Sequence, residues 1–171
     1  MTARQLYLIS CLYFVALVLV AFFTRATARR VAGALVGAVA FGLMGLVADA
    51  LGERLGWWRM ALWGPNLLPL VRLCFVVSLT PVYLVTWRVA RRYGWRGLAV
   101  VVVVLAVLGP PRDYAIMARF PEWGSYAPGV VPVLVVAAIY AFLVPIGHSV
   151  MRLVAGPAKA DRLTRRPWEP A

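Results

Sequence analysis

DALGERLGWWRMALWGPNLLPLVR, residues 49–72, is the stretch whose reading decides the fold. It separates two strongly apolar runs, 31–51 and 67–89. Asp49 and Glu53 stand at i and i+4, on one face of a helix end. Trp57, Trp58 and Trp63 follow, then the turn Asn66-x-x-Pro69, and Arg72 lies inside the next apolar run. A polar, tryptophan-rich link between runs of this length reads as the turn of a helical hairpin at a membrane surface.

Composition agrees. The 171 residues are 63% hydrophobic and 14% charged, with a mean hydropathy of +0.83. A soluble domain of this size has too little interior to hide so much apolar side chain. The net charge of +12 does not point to nucleic acid, because the basic residues cluster at the ends of apolar runs. That placement is a topology signal and a lipid headgroup contact. Cys11 and Cys74 fall inside apolar runs, and there is one histidine, His148. One histidine and no Cys/His cluster argue against a zinc or haem site, and no cofactor is expected.

The spacing predicts an all-α integral membrane protein, a five-helix bundle with helices at about 6–24, 31–51, 67–89, 93–109 and 129–153, and a basic tail over 156–171. The first run has one arginine before it, Arg4, and three after it, Arg25, Arg29 and Arg30, which favours a retained helix over a cleaved signal. Run two carries Gly33-x-x-x-Gly37 and the stripe Ala34, Ala38, Gly42, Gly45, which suits close helix approach at the centre of the bundle. Pro81 predicts a kink in run three. Gly109-Pro110-Pro111 predicts the end of run four, with 112–120 either a short interfacial helix or a bent continuation. With five crossings, twelve Lys and Arg fall on one side and five on the other, leaving Arg72 aside. The expected orientation is therefore N-terminus outside and C-terminus in the cytoplasm, in a bacterial inner membrane. A loose internal echo runs from Arg29-Arg30 through Asp49 and Pro69 to Pro81, and again from Arg91-Arg92 through Asp113 and Pro132 to Pro145. The intervals are 20, 20 and 12 residues against 22, 19 and 13, the pattern of two parallel hairpin repeats.

On this topology the charges that are not cytoplasmic gather in the outer half. An ion inside hydrocarbon is costly and faces a partner or a wet cavity. The expected site is an outward-facing pocket floored by Arg72, with Asp49 and Asp113 as counter-ions. Glu53, Trp57, Trp58, Arg112 and Tyr114 complete its lining, and Trp123, Tyr126, Tyr7 and Tyr13 stand nearby. Each has a plainer role: Asp49–Arg72 as a structural ion pair, the tryptophans as the interfacial belt, and His148 as a packed residue at the other end.

A carboxylic acid in a dry, aromatic-lined site can donate a proton, and aromatic faces stabilise a cation. An acid ending one helix, then Gly56-Trp57-Trp58, then Leu68-Pro69-Leu70 opening the next, resembles the small membrane lycopene cyclase domains of carotenoid pathways over residues 31–90. The resemblance implies repeated helical units and acid chemistry on an isoprenoid. The family has glutamates directly after that proline, where this chain has Leu70, Val71 and Arg72, so the family's acid is not carried over. The whole chain also looks like small multi-pass bacterial membrane proteins of no assigned activity. Three functions stay open: binding of a lipid, an apolar ligand or a partner protein in the pocket; an enzyme acting on a lipid or isoprenoid with Asp49 or Asp113 as acid and Arg72 positioning it; and small-solute transport. Membrane lipids are the expected partners.

Overall fold

A computed structural model describes residues 3–60 and 68–156. The order is α1 (Ala3–Thr24), α2 (Ala28–Arg54), β1 (Trp58–Met60), α3 (Leu68–Arg119), a 3₁₀ turn (Pro121–Trp123), β2 (Gly124–Tyr126) and α4 (Val130–Ala155). All four α-helices are long and apolar enough to cross a membrane.

α3 has 52 residues, which would run about 78 Å if straight. It is not straight. Gly94 takes φ 67°, ψ −153°, a region that only glycine visits readily, and the chain reverses there. Gly97 consequently sits against the side chain of Val89. Val76 before the break and Asp113, Ile116 and Met117 after it line one cavity, which a continuous helix would forbid. The break expected between runs three and four, at 89–93, thus falls at Gly94. Pro110 and Pro111 do not end the second arm, which runs on to Arg119. The expected stop at 109 is corrected in favour of the continuation. Packing overrides the breaker here: the Tyr140 ring occupies the space beside Gly109, Pro110 is fully buried, and the next turn is tied to α4 through Arg112 and Asp113.

α2 ends by another glycine device. Gly56 (φ 72°) closes a Schellman turn, with Trp57 N–H donating to Gly52 O at 2.9 Å and Gly56 N–H to Glu53 O at 3.1 Å. The chain leaves that turn as β1, which pairs antiparallel with β2: Trp58 opposite Tyr126, Arg59 opposite Ser125, Met60 opposite Gly124. This two-stranded ribbon is absent from the all-α expectation. Three-residue strands carry no readable alternation, and each exists only because the other is beside it.

The tightest packing is between α2 and α4. A Cβ on Gly37 would strike Gly147 O, and one on Gly147 would overlap the Tyr83 hydroxyl and stand 2.9 Å from Gly37 O. The Gly33-x-x-x-Gly37 part of the small-residue face is therefore used against α4, as close approach in lipid requires, whereas Gly45 of the expected stripe faces open space. Around it lies the core: Ala34, Ala38 and Phe41, with Tyr83, Leu84 and Trp87 of α3 and Leu143, Val144 and Met151 of α4. α1 packs on α3 and leaves most of its large side chains exposed.

The two ends differ in charge. Arg25, Arg29, Arg30, Arg88, Arg91, Arg92, Arg96 and Arg152 gather where α1 meets α2 and α3 turns at Gly94. There Arg29 donates to Val154 O (2.7 Å), Arg88 donates to Thr24 O (3.1 Å), and Arg30 and Arg91 lie over the Trp87 ring. Asp49, Glu53, Asp113 and Glu122 all stand at the ribbon end.

Gly147→Ala, which forces atoms into an occupied site, is expected to destabilise the bundle by about 1–3 kcal/mol. Gly45→Ala, whose added methyl meets nothing within 4 Å, serves as the neutral control. Thermal unfolding of the two purified variants in the same detergent checks the contrast.

Candidate functional site

Beyond their contact at Gly37 and Gly147, α2 and α4 enclose a cavity of about 450 Å³ that extends toward the ribbon. Its walls are Phe41, Gly45 and Leu46 of α2, Val76 and Ile116 of α3, and Val136 and Ile139 of α4. Its polar groups collect at the ribbon end: Asp49, Arg112, Asp113, Tyr126 and Tyr140. At ~1.5 Å per residue, Asp49 lies about 31 Å along α2 from Ala28, close to the full thickness of a ~30 Å hydrocarbon layer.

The ribbon roofs this end. Trp58, 2% exposed, lies flat against Gly52, where no Cβ would fit, and donates its indole N–H to Asp49 O at 3.2 Å. It meets the Tyr126 ring edge-on, and Tyr126 stacks on Tyr114 at 4.4 Å. Burial first, and then the Asp113 carboxylate, hold the Tyr126 phenol above its ordinary pKa, so it stays a neutral donor. Trp123 adds a second indole to the lining. To one side the cavity is bordered by exposed residues of its own lining, Val39 and Leu43 of α2 at 43% and 61%. Exposed apolar side chains of the middle of α2 thus form part of its border.

One polar cluster is complete. Arg112 Nη2 and Nε donate to Asp113 Oδ1 at 2.7 and 3.0 Å, Tyr140 OH donates to Asp113 Oδ2 at 2.9 Å, and Arg112 Nη2 reaches the same hydroxyl at 2.9 Å. Asp113 thus takes its sequence neighbour Arg112 as counter-ion. Asp49 is different. It borders the cavity, and among the described residues no side chain donates a hydrogen bond to its carboxylate.

Of the residues singled out by sequence, Asp49, Trp58, Arg112 and Asp113 line one cavity. The backbone of Arg72 is helical; its side chain lies outside the described residues. Trp63 and the Asn66 turn also lie outside them. Glu53 is turned to the ribbon, where it accepts the Met60 N–H at 2.9 Å. Trp57 packs on Trp58 and its carbonyl accepts from Ala127 N–H. Tyr114 supports Tyr126 from outside the lining and donates to Ala127 O at 3.4 Å. Tyr7 and Tyr13 are exposed and outside the lining. His148 is buried in the opposite half, its Nδ1 3.0 Å from the Thr86 hydroxyl.

Sequence reasoning missed Tyr140, Phe41, Met60 and Val76. Tyr140 left a signal: a phenol in an otherwise apolar run must find a hydrogen-bond partner. Phe41, Met60 and Val76 left none, since nothing local sets them apart from other wall residues. The Tyr140→Phe variant, which keeps the ring and deletes the bridging hydroxyl, is expected to lose about 1 kcal/mol of stability. Detergent-solubilised thermal unfolding beside the wild type measures that loss.

No protein-family model matches the chain, and no curated protein or solved structure matches it either.

Proposed function

We propose that this chain is a five-crossing membrane protein that holds one apolar molecule with a polar end in the cavity between α2, α3 and α4. The observation that carries this reading is the cavity itself: apolar walls, a single polar end, and a border of exposed apolar side chains on α2. A volume of about 450 Å³ falls in the range of ligand sites. At ~30 Å³ per water-sized group it holds about fifteen non-hydrogen atoms.

The break at Gly94 supports two crossings from α3, hence five in all. The uneven arginines support the α3 turn on the cytoplasmic side and the ribbon outside, in a bacterial plasma membrane. Two parallel repeats account for the order helix, strand, helix, given first by α2, β1 and residues 68–93, then by residues 95–119, β2 and α4. Gly45 and Gly109, Asp49 and Asp113, Pro81 and Pro145, and Arg88 and Arg152 each lie 64 residues apart, which supports the same reading.

A second reading, an enzyme acting on a lipid or isoprenoid, draws on one observation. Asp49 stands in an apolar cavity beside the rings of Trp58, Trp123 and Tyr126. In that reading Asp49 is the proton donor and the rings stabilise a developing cation.

Mass spectrometry of small molecules retained by the purified protein is expected to find one species near stoichiometric amounts. Gly45→Leu, which fills open space, is expected to lose it while the protein stays monodisperse. A changed lipid in cells that tracks Asp49→Asn at normal protein level favours the enzyme. For topology, single cysteines replacing Ser125 and Trp95 in a chain lacking Cys11 and Cys74 separate the two sides: an impermeant thiol reagent added to intact cells is expected to label the first and spare the second.

A further inference from the structure

The two halves differ at one informative place. In the second half, the Tyr140 ring fills the notch beside Gly109 and its hydroxyl donates to Asp113 at 2.9 Å. The same 64-residue spacing carries Gly109 to Gly45, Asp113 to Asp49 and Tyr140 to Val76. Element bounds keep this correspondence: α2 ends at Arg54 and α3 at Arg119, and α4 ends at Ala155, one turn before the counterpart of Gly94. The strands fall two residues out of step, across the 3₁₀ turn Pro121–Trp123.

Among the described residues of the first half, no side chain plays the part of that plug. Val76 is too short to fill the notch, and the space beside Gly45 is open for 4 Å around a Cβ position. Asp49 has no described side-chain donor, whereas Asp113 has two, Tyr140 and Arg112. The counterpart of Arg112 is Ala48, so no neighbouring guanidinium stands next to Asp49 in sequence as Arg112 does next to Asp113. The part of the cavity beside Gly45 corresponds to the space that a ring and a hydroxyl occupy in the other half.

We propose that the cavity takes a hydroxylated amphiphile whose apolar body lies against Gly45 and whose hydroxyl donates to Asp49, the arrangement that Tyr140 makes with Gly109 and Asp113. The chain carries the image of its own ligand in its second half. This rests on the ligand-binding reading above and adds to it the chemistry of the bound end. Val76 is then the residue that keeps the site vacant for a ligand: a tyrosine there would plug it from within.

The probes are 4-octylphenol and octylbenzene, titrated into the full chain in lipid nanodiscs and read by tryptophan fluorescence, since Trp58 and Trp123 line the cavity. The wild type is expected to bind the phenol roughly tenfold or more tightly than octylbenzene, the worth of one hydrogen bond to a carboxylate. Asp49→Leu is expected to bring the two compounds to parity. Val76→Tyr is expected to bind neither, and Gly45→Leu gives the same result by simple filling should Val76→Tyr fail to fold. Equal affinity for both compounds in the wild type, or a preference that survives Asp49→Leu, overturns the hydroxyl assignment and leaves a binding cavity of other specificity. A folded Val76→Tyr that still binds the phenol as the wild type does overturns the correspondence between the halves. Binding of neither compound to the wild type, or binding untouched by Gly45→Leu, overturns the occupied cavity and this inference together.

Discussion

The bundle is fixed where two backbones touch. At Gly37 and Gly147 no side chain separates α2 from α4, and the Tyr83 hydroxyl of α3 fits into the same notch. Lipid gives helices no hydrophobic reason to associate, so dispersion and close approach must hold them. That contact sets the spacing of three helical arms at one level. Toward the ribbon, the same arms carry Phe41, Val136, Ile139 and Tyr140, which stand around the cavity and do not close it. A tight crossing at Gly37 and open space beside Gly45 thus follow one another along α2.

The ribbon answers a different demand. Links between helices at a membrane surface expose peptide groups that need partners. β1 and β2 satisfy part of that need by pairing with each other, and Glu53 supplies an acceptor to Met60 N–H. Pairing also places Trp58, Met60, Trp123 and Tyr126 over the cavity. The roof is thus assembled from two distant links, whose strands supply one another with backbone partners.

Polar residues divide the molecule along its length. Among the described residues, arginines crowd one end and the four acids stand at the other. Near the acids, Arg112, Asp113 and Tyr140 satisfy one another. This closed triangle explains why a continuous helix survives two prolines: the turn after them is held from outside, by α4.

Much of the architecture was legible along the chain. Apolar runs, their basic flanks and the glycines of α2 specify helices, a charge gradient and a packing face, because these depend on composition and on a local period of 3.6 residues. Asp49, Asp113, Arg112 and Trp58 were readable as candidates, because a charge or an indole next to hydrocarbon needs a reason to be there. Gly94 was not readable as a hairpin turn, since a lone glycine among arginines has no turn partner in sequence. Nor were the strands, whose pairing joins residues more than sixty positions apart. The choice of Arg112 for Asp113, the plug made by Tyr140 and the vacancy beside Gly45 were decided only in three dimensions. Each depends on which side chain from another helix reaches a given notch, and no local pattern encodes that reach.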